Sequence, residues 1–189
     1  PIEIPELGDD FLQEMREYSY HEIAFHIAKC FLGDEIEDRD LEGIIRDAFD
    51  FDLPFVRLGH GVNILELFHG PTLSFKDFGA RFMARMFAHF RKEEGDCIDI
   101  LVATSGDTGS AVGKGFYGIE GVRVHILYPK GRVSTMQESQ LRGIGGNVQA
   151  LEVEGTFDDC QRLVKGAFLD SDLQEKMNLT SANSINIGR

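Results

Sequence analysis

From residue 54 onward, short apolar runs alternate with stretches of helical periodicity, and this rhythm limits the possible folds more than any other feature. Val, Ile and Leu concentrate at residues 62–68, 97–103, 122–128 and 147–153. Helical patterns follow them at 76–91, 107–117, 135–141 and 157–170. Strands covered on both faces read as continuous apolar runs, and parallel neighbours need a crossover long enough to hold a helix. The spacing predicts an α/β fold, a parallel-sheet βαβ domain with helices on both faces. Residues 1–60 lack this rhythm and read as a helical, acidic N-terminal segment, which leaves 61–189 for the α/β domain.

Local signals refine the outline. Apolar residues fall at helical spacing from Phe11 to Phe31, and a further helix fits residues 40–49 with Asp40 as its cap. Ser134 with Gln137, and Thr156 with Asp159, have the spacing of capping boxes. In the helix that begins at Lys76, Phe82, Met83, Met86, Phe87 and Phe90 share one face, read as core packing. Arg81, Arg85, His89 and Lys92 fall on the other.

The formal net charge is −13, from 19 basic and 32 acidic residues, which argues against nucleic acid or an anionic membrane as partner. Any anionic ligand then needs a local positive field, and Lys114, Lys130, Arg132 and Arg142 cluster in the middle third. No apolar run approaches the roughly 20 residues that span a bilayer. No basic and apolar leader opens the sequence, so a cytoplasmic location is expected, with the start at Pro1 suggesting a trimmed segment. Cys30, Cys97 and Cys160 form no Cys-x-x-Cys pair and read as structural thiols. His21 and His26 are five residues apart, about 140° around an α-helix, so no metal is assigned.

Two segments carry candidate chemistry. Lys76 sits in His69-Gly70-Pro71-Thr72-Leu73-Ser74-Phe75-Lys76-Asp77-Phe78-Gly79, between an apolar run and a helix. A helix N-terminus and nearby Phe75 and Phe78 both disfavour an ammonium, and an amine that loses its proton easily suits Schiff-base chemistry. Position alone equally allows a surface lysine at a helix start, and His69 reads as a turn residue or a ligand contact. The second segment, Ala103-Thr104-Ser105-Gly106-Asp107-Thr108-Gly109-Ser110, leaves a strand and opens a helix. Its glycines let backbone N–H groups turn inward and its hydroxyls add donors, a receptor for a carboxylate or phosphate. Many such turns use the same residues for capping alone. Gly113, Gly115 and Gly118 match G-x-G-x-x-G but stand too far beyond the strand for a dinucleotide fingerprint. They are expected to permit close packing and to end the helix. A third segment, from Thr180 to the end, mixes hydroxyls, amides and the Arg189 guanidinium, which suits phosphate recognition or a polar turn.

The Lys76 run, Thr104-Ser-Gly-Asp-Thr-Gly109 and Ser181-Ala-Asn-Ser-Ile-Asn186 occur in this order and at similar spacing in threonine synthases. The chain closely resembles that family, in its longer microbial and fungal branch, along its whole length. The resemblance implies the tryptophan-synthase-β-like fold, fold type II of pyridoxal phosphate enzymes, of which this chain would hold about half. Lys76 matches the lysine that binds pyridoxal 5'-phosphate as a Schiff base and then serves as general acid/base. Ser105, Gly106, Asp107, Thr108 and Gly109 match the loop that receives the α-carboxylate of the substrate. Ser181, Asn183, Ser184, Asn186 and Arg189 lie where family members touch phosphate or cofactor, Asn183 and Asn186 being assigned to cofactor and the other three to substrate. The implied reaction converts O-phosphohomoserine and water to threonine and phosphate. The family continues beyond Arg189 into a glycine-rich phosphate loop and a partner for the ring nitrogen, so the isolated 189 residues are expected to be inactive. Another lyase or dehydratase of the same fold, and a non-catalytic anion-binding α/β domain, are the competing readings.

Overall fold

The computed structural model describes residues 6–91 and 97–182, which fall into two compact units, one running through Glu66 and the other starting at Leu67. Among these residues no helix is long and apolar enough to cross a membrane.

In the first unit α1 (Asp9–Glu14), α2 (Tyr20–Leu32) and α3 (Asp38–Ala48) precede β1 (Phe55–Gly59) and β2 (Val62–Leu65). The periodicity between Phe11 and Phe31 is thus broken into two helices. The break falls at Ser19, whose hydroxyl accepts the Glu22 N–H at 3.3 Å while the Glu22 carboxylate accepts the Ser19 N–H at 2.6 Å. A reciprocal box satisfies two helix-end donors at once, and here it overrides a continuous apolar pattern. Glu37, and not Asp40, holds the cap position of α3, which leaves Asp38 and Asp40 in a first turn where the dipole favours acid. Leu41, Ile44, Ile45 and Ala48 bury the apolar stripe of that helix.

The run at 62–68 does not enter the parallel sheet. It stops at Leu65 and pairs antiparallel with β1. Gly59, His60 and Gly61 all adopt positive φ, and a reversal this tight can only join antiparallel neighbours.

The second unit holds a four-stranded parallel sheet in the order β5-β4-β3-β6. Its strands β3 (Ile98–Ala103), β4 (Val122–Pro129) and β5 (Val148–Val153) occupy the expected apolar runs. The fourth, β6 (Asn178–Thr180), is too short to show periodicity and replaces the run at 62–68 in the sheet. Its helices are α4 (Lys76–Phe90), α5 (Asp107–Phe116), α6 (Thr135–Arg142), α7 (Phe157–Ala167) and α8 (Ser171–Lys176). The pattern at 157–170 is therefore two helices, because Asp170 accepts from the Asp172 and Leu173 N–H groups and restarts the chain as α8.

One sheet face, built from Ile98, Ile100 and Val102 with Val122, Val124 and Ile126, packs on Ala111, Val112 and Phe116 of α5. The α4 stripe meets that core less than its composition suggests: Met83 and Phe87 pack against it, whereas Phe90 is half exposed. The innermost apolar positions of α4 are Ala80 and Ala84. Their small size brings the α5 backbone so close that a Cβ on Gly115 would lie 3.0 Å from the Ala80 carbonyl oxygen. Gly113 is equally confined, its Cβ position lying 2.5 Å from Ile144.

Helix α7 lies against β3 and β4, and its Cys160 is buried without joining the α5 cluster, so helices cover both faces. Burial, with Asp159 adding to it, pushes the Cys160 thiol up, away from reactivity. Cys30 and Cys97 are exposed free thiols. On the strand positions that alternate with the core, Asp99 is fully buried. It accepts from Arg123 at 2.7 Å and from His125 Nε2 at 2.8 Å. Burial raises this carboxyl, but the Arg123 guanidinium and the His125 ring outweigh it and hold it below its ordinary value.

Candidate active site

Lys76 is the first residue of α4, and the turn ahead of it is organised by its neighbour. The Asp77 carboxylate, fully buried, accepts the Thr72 N–H at 2.8 Å and the Thr72 hydroxyl at 2.7 Å. It fills the space beside Gly70, where a Cβ would lie 2.5 Å from Asp77 Oδ2. Leu73 takes a left-handed φ of 58°, a strained state for a branched residue that the Asp77 and Ser74 contacts sustain. The Ser74 hydroxyl accepts the Lys76 N–H at 3.2 Å. Thr72, Ser74 and Asp77 thus point inward, Leu73 and Phe75 are exposed, and Lys76 is half-buried between them. Its Nζ lies 4.8 Å from the centre of the Phe75 ring, within cation–π range.

The second turn leaves β3 at Thr104, which is buried and whose one hydroxyl makes three contacts. It donates to the Gly106 carbonyl at 2.9 Å and accepts the N–H groups of Gly106 at 3.1 Å and Gly109 at 3.0 Å. Gly109 presses α5 onto the sheet, since a Cβ there would lie 2.4 Å from Thr104 Cγ2. Gly106 is the cap residue of α5; Ser105 and Asp107 are exposed and Thr108 is half-buried. The helix therefore presents its N-terminus, with hydroxyls beside it, at the end of the sheet where an anion is favoured.

The helices that follow these two turns meet. Lys76, Ala80 and Met83 of α4 line one crevice with Thr108, Ala111 and Val112 of α5. This gap is narrow and mostly apolar, about 10 Å³, so it brings the two segments together without being a ligand cavity itself. An amine near a helix N-terminus and its hydroxyls is the combination that suits an aldehyde carrying negative charge. The chain also leaves β6 at Thr180 parallel to β3, heading towards the end of the sheet that carries the Thr104 loop. Ser181 is half-buried and Ala182 enters the core. Asn183, Ser184, Asn186 and Arg189 lie outside the described residues.

Two of the cations expected to provide a positive field are occupied elsewhere. Lys130 pairs with Glu154 and Glu152, which raise its ammonium. Arg142 pairs with Glu138 at 3.0 Å and Glu152 at 2.6 Å while its Nε donates to the Tyr128 hydroxyl. The field at the site thus comes from the α5 terminus more than from these side chains. His69 is exposed and stacks on Phe68 with ring centres 4.9 Å apart. Asp77 and Thr104 both lie inside the two candidate segments, but nothing in the sequence pattern distinguishes a buried polar group there from an exposed one, so their holding roles were not legible.

Residues 1–49 match the family described as threonine synthase N terminus, and residues 52–186 match the family described as pyridoxal-phosphate dependent enzyme. A threonine synthase of Escherichia coli (strain K12) is 46% identical over 189 residues, which is 100% of this chain and 44% of the relative. One from Serratia marcescens is 44% identical with the same coverage. The crystal structure of threonine synthase from Escherichia coli aligns with a TM-score of 0.89 over 99% of this chain and 43% of that one. A pyridoxal-phosphate-bound threonine synthase from Brucella melitensis, 40% identical, aligns with a TM-score of 0.90 over 99% and 42%. The chain spans less than half the length of these relatives.

Proposed function

This chain belongs to the family of pyridoxal-phosphate dependent enzymes, and from that premise we propose that it is the part of a threonine synthase that carries the reactive lysine. The protein would convert O-phosphohomoserine and water to threonine and phosphate. The observation that supports this most is that Lys76 and Thr108 line one gap between α4 and α5, which brings the Lys76 run alongside the first turn of α5.

Lys76 would hold the cofactor through Nζ, with Asn183 and Asn186 contacting it further along the chain. When bound, pyridoxal phosphate supplies an electron sink for negative charge at the carbons next to the substrate nitrogen. The Ser105 and Thr108 hydroxyls and the Asp107 and Thr108 N–H groups would take the substrate α-carboxylate, with Gly106 and Gly109, tied to Thr104, fixing the shape of the loop. Ser181, Ser184 and Arg189 would face the substrate, Arg189 with a charge-assisted fork suited to its phosphate. Lys76, freed when the substrate amine replaces it, would take protons from Cα and Cβ as phosphate leaves Cγ, and would return protons to Cγ and Cα as the water oxygen adds at Cβ. The site would serve a small metabolite in the cytoplasm, without nucleic acid or membrane as partner.

Incubating the full-length protein with pyridoxal phosphate and O-phosphohomoserine should release threonine and phosphate in equal amounts. Formation of 2-oxobutanoate in place of threonine would overturn the assignment in favour of a dehydratase.

A further inference from the structure

Gln137 belongs to α6, outside both turns, yet its side-chain amide touches one of them. Oε1 accepts the Ser134 N–H at 3.2 Å and the Ser134 hydroxyl at 3.1 Å, closing the box at the start of α6. Nε2 donates to Asp107 Oδ1 at 3.0 Å, across 30 positions of sequence. The same nitrogen would lie 2.9 Å from a Cβ on Gly106. A capping box needs only an acceptor here, which glutamate supplies while also complementing the helix dipole. What glutamine adds is a donor.

We propose that Gln137 is a positioning residue for the loop at 105–109, holding the Asp107 carboxylate towards α6 and fitting against the Gly106 backbone. Asp107 is the only acidic residue in that loop. Unheld, its carboxylate competes with an anionic substrate for the same N–H groups and repels it through space. Held by Nε2, it has its charge partly compensated and turned towards α6. The substrate's charge rests on the function proposed above; the contact between the two side chains does not.

Gln137→Glu in the full-length protein separates the two ends of the amide, because it keeps the acceptor for Ser134 and sets a second carboxylate against Asp107. The Michaelis constant for O-phosphohomoserine should rise about ten-fold, the scale of one lost hydrogen bond to a charged group, with kcat within about two-fold. The absorbance of bound pyridoxal phosphate should stay unchanged, while hydrogen exchange at the Gly106 and Gly109 amides accelerates. Adding Asp107→Asn exchanges donor and acceptor and should return both readouts most of the way. Ser134→Ala should loosen α6 without moving KM. Unchanged KM and exchange in Gln137→Glu, or a double variant no nearer to wild type, would overturn the proposal. If the wild-type protein fails to turn over O-phosphohomoserine, the assigned reaction falls, and the exchange series still decides whether Gln137 holds the loop.

Discussion

The turn ahead of α4 and the loop ahead of α5 lead into helices that line one crevice, but one is organised around a buried carboxylate and the other around a buried hydroxyl. Asp77 can only accept, so it gathers two donors from Thr72 and leaves a space that Gly70 alone can occupy. Thr104 donates and accepts, so a single oxygen holds both ends of a four-residue loop. In both places the buried residue stands directly beside an exposed or half-exposed one to which the proposed function gives a role: Asp77 beside Lys76, Thr104 beside Ser105. A reacting group must reach solvent and ligand, and a supporting group must exclude them, so one residue cannot do both.

The division of labour is sharpest at Lys76. Lys76→Ala should lower threonine formation by about a thousand-fold or more and abolish the cofactor's visible band, with the chemical denaturation midpoint nearly unchanged. Asp77→Ala should do the reverse in kind. Loss of two hydrogen bonds to a buried charge should cost about 3 kcal/mol in urea unfolding, with weaker cofactor retention on dialysis. Thr104→Val keeps the shape but strands two N–H groups and a carbonyl, costing about 2 kcal/mol and acting mainly on KM. If Asp77→Ala and Thr104→Val shifted KM and cofactor retention alike, the two turns would be one unit and the contrast would disappear.

Asp99 supplies a third case, remote from both turns and tied to cations. Its carboxyl is held below the ordinary value, so the stability it contributes is present above the unfolded carboxylate pKa and lost as pH falls through the lowered folded value. Asp99→Asn should therefore cost about 1 kcal/mol at neutral pH, and the gap to wild type should close as pH drops below about 4. Denaturant midpoints measured from pH 7 down to pH 3 would show this. A gap that widened in acid would contradict the paired geometry.

Much of this was legible in the chain. Three strands of the parallel sheet follow from apolar runs, and the boxes at Ser134 and Thr156 follow from spacing. Lys76 and the loop after Thr104 stand out less through their own residues, which capping alone would also explain, than through the order and spacing of the three segments together. The Ser19 box was equally visible in principle, but the apolar periodicity running past it masks the break. The strand at 62–68 misled because a buried-type apolar run says nothing of its partner, and the reversal at 59–61 sends it into a hairpin. Three residues of β6 are too few for any pattern. On α4 the large Phe and Met side chains drew attention, while the contact depends on the alanines that let α5 approach.

The sequence by itself determined most of the strands and helices of the second unit and marked Lys76 and the loop after Thr104 as candidates, because periodicity, capping and turn chemistry act over a few residues. Only the tertiary structure decided that Lys76 and Thr108 share a crevice, that Asp77 and Thr104 are the buried supports, and that Gln137 reaches Asp107 from another helix. Those outcomes depend on distances between segments tens of residues apart, and these are set by backbone approach and burial, which no local pattern encodes.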